Sequence, residues 1–297
     1  MTTRIAVISV TIPVIDISQF STCAGSEEIT DLFDKSFSEF GLVFLVGHNV
    51  SNTLFDELQS QVDDFFKRSK SEKMLQNHGY YGHPNGGYIP QGVESVARSS
   101  VGVNVAEPDL VESFSFTRYP SNYKLPLLLS ELVDLGSEYI EPQLISPFSS
   151  AEIYFHEMER ILDTVHSIAA CSLGLDQNFF RPFFDNSHGS SGNAIRFAHY
   201  PAMPSERLEI NIDGVTLNSK ENSSSNAQRY GAHTDYQGFT ILKADENDWV
   251  VDGAGGLEVL VPGTDTWFPV NTKVLKSNEK VFVINAGDLI QLWTNDR

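Results

Sequence analysis

The chain is poor in cysteine and in basic residues, and it has no long apolar run. Two cysteines, Cys23 and Cys171, occur in 297 residues. They lie far apart in unlike contexts and supply neither a disulfide framework nor a zinc cluster, which leads us to expect a reducing compartment. No stretch approaches the ~20 apolar residues that a membrane span requires. The opening segment is studded with Thr and Ser and broken by Pro13, so it reads as a strand rather than a signal peptide. A cytoplasmic protein with no membrane partner is the expectation. Twenty Lys and Arg stand against 39 Asp and Glu, a net charge of -19. That balance argues against nucleic acid or an anionic lipid surface as partner, since both need a basic face. A last absence is positional: histidines occur at 48, 78, 83, 156, 166, 188, 199 and 233, and none follows Asp235.

What is present suits a large core. At 41% apolar and 20% charged, a chain of this length buries roughly 75% of its unfolded surface. Ile12–Ile17 reads as a short strand. Ile29, Leu32, Phe33, Phe37 and Phe40 recur at helical spacing, and Gly41 stands where a helix would end. Leu42–Val46 has the composition of a buried strand. Leu54, Phe55, Leu58, Val62, Phe65 and Phe66 form a second amphipathic helix behind Ser51, a candidate cap. Residues 78–98 are Gly- and Tyr-rich loop. A long helix covers 151–173, with Phe155, Met158, Leu162, Val165 and Ala169 on one stripe. Beyond Gly192 the texture changes to short strands separated by turn residues, around 195–200, 239–242, 256–261, 281–284 and 289–293. Glu221–Asn226 is a polar insertion between them, and there are no internal repeats.

The residues that carry chemistry are His233 and Asp235, in Arg229-Tyr230-Gly231-Ala232-His233-Thr234-Asp235. Two positions apart at a strand end, an imidazole and a carboxylate share one side of an extended backbone. They are the beginning of a 2-His-1-carboxylate site for ferrous iron. The pattern gains weight from its surroundings. A long helix is followed by Arg196-Phe197-Ala198-His199-Tyr200-Pro201, the His233–Asp235 pair, Gly255-Gly256-Leu257-Glu258-Val259, Trp267-Phe268-Pro269-Val270 and Asn285-Ala286-Gly287-Asp288-Leu289-Ile290-Gln291-Leu292-Trp293-Thr294-Asn295. In that order these segments resemble the isopenicillin N synthase-like family of iron(II)/2-oxoglutarate-dependent oxygenases. Ile12–Asp16, Phe40–His48 and Glu112-Ser113-Phe114 extend the resemblance through the N-terminal half.

The resemblance implies an α+β protein: a double-stranded β-helix (jelly roll) core with a helix-rich N-terminal region. Its expected divisions are a non-haem dioxygenase-type region at 1–125, helical support at 126–185 and an oxygenase jelly-roll core at 186–297. His233 and Asp235 match two iron ligands, and Tyr200 matches a tyrosine that hydrogen-bonds a 2-oxoglutarate carboxylate. Fe(II), 2-oxoglutarate, O2 and a small organic substrate are the implied partners, with hydroxylation, desaturation or cyclisation as the outcome.

Three departures stand against this. Ala198 replaces a polar residue common in relatives, no histidine follows Asp235, and the expected Arg-x-Ser is absent. A dicarboxylate co-substrate calls for a bidentate guanidinium of that kind. We read Leu289–Thr294 as an apolar strand without a closing partner, an exposed edge of the sort natural folds avoid. The expectation is therefore a shortened oxygenase whose final barrel strands are missing, weak in iron binding and without turnover. A non-catalytic jelly-roll binding protein, and an iron oxygenase that does not use 2-oxoglutarate, remain as alternatives.

Overall fold

A computed structural model of the chain describes residues 12–77, 87–96, 109–117, 147–184, 193–201, 211–212, 215–216, 229–243, 256–260, 263, 265–270 and 280–296. His78, His83, His188, Gly255, the Glu221–Asn226 insertion and most of the 78–98 loop lie outside them. The chain divides into two compact units, each built from separated stretches. The first gathers Met1–Gln59, Ser149–Asn186 and Thr234–Arg297, and the second Ser60–Phe148 and Ser187–His233.

In the first unit, β1 (Val14–Asp16), β2 (Leu42–Val46), β11 (Phe282–Ala286) and β8 (Phe239–Leu242) form one sheet in the order β1-β2-β11-β8. β1 and β2 run parallel, and the other pairs are antiparallel. β2 and the first half of β11 are buried, as their Val, Ile, Leu and Phe composition requires. Helix α1 (Glu27–Phe40) packs against the 22-residue helix α4 (Ala151–Ser172). α1 ends at Gly41, whose φ of 72° is the left-handed conformation that glycine adopts without strain. β9 (Glu258–Leu260) and β10 (Trp267–Pro269) form a separate antiparallel pair. His48 is fully buried: its Nε2 donates to the Lys280 carbonyl at 2.7 Å, and its Nδ1 accepts the Val50 N–H at 3.0 Å.

The second unit holds the end of helix α2 (Asn52–Phe66), helix α3 (Lys70–Met74), and an antiparallel sheet of β3 (Gly87–Ile89), β4 (Glu112–Thr117) and β5 (Ala194–His199). The short pair β6 (Asn211–Ile212) and β7 (Val215–Thr216) also belongs to it. Phe65, Phe114 and Phe148 pack edge to face with centroids 5.2–5.5 Å apart, the arrangement that ring quadrupoles favour.

Three expectations need correction. Leu289–Trp293 is not a strand but part of helix α5 (Asp288–Trp293). Four apolar residues in a run of five fit either structure by periodicity alone. The helix is favoured because Asp288 begins it, and because Ile290 is buried while Leu292 is 73% exposed, the two not sharing a face. The supposed unpaired strand edge, and the argument for a shortened chain built on it, therefore falls away.

The cysteines are also not independent. Cys23, in a 3-10 turn, is disulfide-bonded to Cys171 near the end of α4, with Cα atoms 5.2 Å apart. A separation of 148 residues hid this pairing, and it removes the ground for inferring a reducing compartment. Among the described residues no helix is long and apolar enough to cross a membrane. Finally, His233 and Asp235 do not sit on a strand; residues 229–238 form a non-strand approach to β8. Their backbone bonds go elsewhere, with the Gly287 and Asp288 N–H groups donating to the Gly238 and Asp235 carbonyls, both at 2.7 Å.

Candidate metal centre

The boundary between the two units falls between His233 and Thr234, so each candidate ligand is described within its own unit. Asp235 is half-buried. Its Oδ2 accepts the Thr240 hydroxyl at 2.6 Å and the Asn285 amide Nδ2 at 2.7 Å. Thr240 on β8 and Asn285 on β11 are directly opposed in the strand register, so one cross-strand pair presents both donors from the same face. Turning the Asn285 amide would set oxygen against oxygen, which fixes its nitrogen toward the carboxylate. The other Asn285 atom, Oδ1, is buried and has no hydrogen-bond partner among the described residues. Gly287 lies so close beneath this turn that an added Cβ would meet the Gln237 and Asp235 carbonyl oxygens.

His233, in the second unit, is exposed, and its Nδ1 lies 2.8 Å from the Gly231 carbonyl oxygen. A carbonyl only accepts, so Nδ1 carries the proton, and in the neutral form of the ring the lone pair is on Nε2. The Tyr230 ring stands edge-on to the imidazole, with centroids 5.0 Å apart at 88°. On Tyr230 lies the Arg196 guanidinium, 5.4 Å from the ring centroid. Two bonds to the Glu94 carboxylate, at 3.0 and 2.5 Å, hold that guanidinium in place. Tyr200 is 39% exposed and meets Tyr230 edge to face at 6.5 Å. Burial pushes the Tyr230 phenol up to about 12, so it stays protonated at neutral pH. Both Arg196 guanidinium NH2 groups are engaged by the Glu94 carboxylate.

The remaining described histidines have other work. His199 stacks on Phe66 and puts Nδ1 2.8 Å from Glu112 Oε1. Glu112 is 6% exposed and also receives Lys73 Nζ at 2.6 and 2.9 Å and the Tyr88 hydroxyl at 2.5 Å. The desolvation of Glu112 works to raise its pKa. Hydrogen bonds from His199, Lys73 and Tyr88, with the Lys73 charge, outweigh it and hold the carboxyl at about 2. His166 is buried against Phe184, and neither ring nitrogen has a hydrogen-bond partner among the described residues. His156 lies on the α4 surface between Glu152 and Glu159.

Sequence reasoning singled out His233, Asp235 and Tyr200 but missed Thr240, Asn285, Arg196, Glu94 and Glu112. Thr240 and Asn285 left one signal, polar residues inside otherwise apolar strands. An imidazole whose neutral form has its lone pair on Nε2 and a carboxylate oriented by two donors are the donor types that ferrous iron takes, so the residues present fit such an ion. Among the described residues no group of three or more His, Cys, Asp or Glu is assembled to hold a metal.

Residues 12–130 match the non-haem dioxygenase in morphine synthesis N-terminal family, and residues 192–297 match the 2OG-Fe(II) oxygenase superfamily. Thebaine 6-O-demethylase of Papaver somniferum is 26% identical over 96% of this chain and 64% of its own length. Gibberellin 20 oxidase 3 of Arabidopsis thaliana is 24% identical over 96% and 63%. The crystal structure of a full-length Neurospora crassa protein in complex with alpha-KG is similar with a TM-score of 0.64 at 26% identity, covering 96% of this chain and 75% of that one. The chain thus spans 63–65% of the length of the first of its curated relatives. Two family matches, over residues 12–130 and 192–297, with His233 and Asp235 inside the second, lead to one conclusion: the chain belongs to the 2OG-Fe(II) oxygenase superfamily.

Proposed function

We propose that this chain carries part of the catalytic centre of an iron(II)- and 2-oxoglutarate-dependent oxygenase acting on a small organic substrate. The observation that carries the reading is the preparation of the two candidate ligands. The His233 proton is fixed on Nδ1 by the Gly231 carbonyl, and the Asp235 carboxylate is oriented by Thr240 and Asn285. Partners of this kind set the orientation of ligating groups in metal sites. When bound, iron supplies oxidation of the substrate by O2, coupled to decarboxylation of 2-oxoglutarate to succinate. The protein's own part is to orient the two ligands, and the Tyr200 phenol is a donor suited to a co-substrate carboxylate. Hydroxylation, desaturation and cyclisation all fit this class, and a jelly-roll core is the scaffold that the family implies.

Within residues 1–297 no histidine follows Asp235. By themselves these residues supply two of the three expected ligands, so we expect weak iron binding and no turnover from the 297-residue chain. Anaerobic Fe(II) titration with and without 2-oxoglutarate tests the reading. Saturable binding that is lost in His233→Ala and in Asp235→Ala is the expected result. Binding indifferent to both substitutions would overturn it, and no binding in any form of the protein would favour a non-catalytic scaffold. Iron binding with oxygen uptake unaffected by 2-oxoglutarate would instead identify an iron oxygenase that does without that co-substrate.

A further inference from the structure

We infer that Asp109 is a positioning residue for the His233 imidazole and acts through the backbone of Gly231; the inference rests on His233 being a metal ligand. Asp109 is a carboxylate only 3% exposed, so burying it demands full compensation. Each of its oxygens receives a backbone donor: Oδ1 takes the Gly231 N–H at 3.0 Å, and Oδ2 takes the Val96 N–H at 2.7 Å. Gly231 is itself buried, and its carbonyl is the group that accepts the His233 Nδ1 proton at 2.8 Å.

A glycine with no external tie has more backbone freedom than any other residue. Its carbonyl would then be a poor anchor for a ring two residues further on. Asp109 removes that freedom on the N–H side, and the carbonyl it leaves in place selects the tautomer with the lone pair on Nε2.

A second contact leads back to the same segment. The Asp109 N–H donates to the Glu94 carbonyl at 2.8 Å. The Glu94 side chain holds Arg196, and Arg196 lies on the Tyr230 ring that flanks the imidazole. The polar restraint and the aromatic restraint on His233 therefore share one root, the pairing of residues 94–96 with Asp109. Nothing in the motif around His233 announces a carboxylate 124 positions upstream, since only the fold brings Asp109 to Gly231.

Asp109→Asn tests this. The amide keeps the size but replaces one acceptor with an NH2 that confronts a backbone N–H, so one of the two ties is lost. Two readouts apply to the 297-residue chain. Nitrogen-15 NMR of the histidines, with His233→Ala assigning the resonance, reports the tautomer without any metal. Co(II) titration reports ligand strength. The parent is expected to show the Nδ1–H form, and Asp109→Asn a mixture of tautomers with Co(II) affinity about 10-fold or more weaker. A folded Asp109→Asn protein with parental tautomer and parental Co(II) affinity would overturn the inference. Should that variant fail to fold, Asp109→Ser carries the same comparison. If Co(II) affinity is unchanged in His233→Ala, the metal reading itself fails, and the tautomer measurement alone decides whether Asp109 sets the ring.

Discussion

Replacing Glu112 with Gln is expected to destabilise the second unit by about 3–5 kcal/mol, the usual cost of leaving one partner of a buried ion pair without its counter-charge. The magnitude follows from the surroundings. The Lys73 and Glu112 side chains are 9% and 8% exposed with their charged atoms 2.6 Å apart, so little water is at hand to screen an orphaned ammonium. Lys73 would keep its bond to the Phe66 carbonyl at 3.1 Å, which is why the loss should stop short of a fully isolated charge. The same group sets a pH dependence. The folded-state pKa of Glu112 is depressed from 4.5 to about 2. Its contribution, about 3 kcal/mol by linkage, is present above pH 4.5 and is lost as the pH falls from there through 2. Urea denaturation of parent and Glu112→Gln between pH 7 and pH 3 measures both effects. Adding Lys73→Met should recover more than half of the loss, because the unpaired charge is then removed while the amide still serves Tyr88 and His199. A Glu112→Gln protein within about 1 kcal/mol of the parent and with the same acid slope would refute the account.

Three further outcomes are expected. Cys23→Ser with Cys171→Ser should lower stability by 2 to about 5 kcal/mol, since a bridge across 148 residues closes a long loop in the unfolded chain; two titratable thiols in the unreduced, denatured parent would contradict the pairing. His166→Leu should stabilise the first unit by about 1–3 kcal/mol, because it removes two buried nitrogens that have no partner among the described residues. It should also flatten the loss of stability between pH 6.5 and 4, a window set by burial pushing the imidazole down to about 4, so that its contribution is complete above 6.5 and erodes as the pH falls; a steeper acid dependence in the variant would contradict this. Thr240→Val and Asn285→Leu should each weaken Co(II) binding about 10–100-fold with Thr240→Ser close to parental, whereas equal affinity in all three would detach the cross-strand pair from Asp235.

The elements and the chemistry that depend on neighbours in sequence were legible without coordinates. The apolar stripe ending at Gly41, the buried run Leu42–Val46, the long helix from Ala151 and the strand at Phe239–Leu242 all follow from periodicity over five to twenty residues. The His233–Asp235 spacing was legible for the same reason. Leu289–Trp293 marks where that method fails, because so short an apolar run fits strand or helix until its burial is known. What only the tertiary structure decided is which distant groups meet. Cys23 finds Cys171, Thr240 and Asn285 find Asp235, and Lys73, Tyr88 and His199 find Glu112. Asp109 finds Gly231 in the same way. Each side chain is an ordinary surface candidate when read in sequence. Burial then forces its polar atoms to find partners, and chain topology determines which partners are within reach.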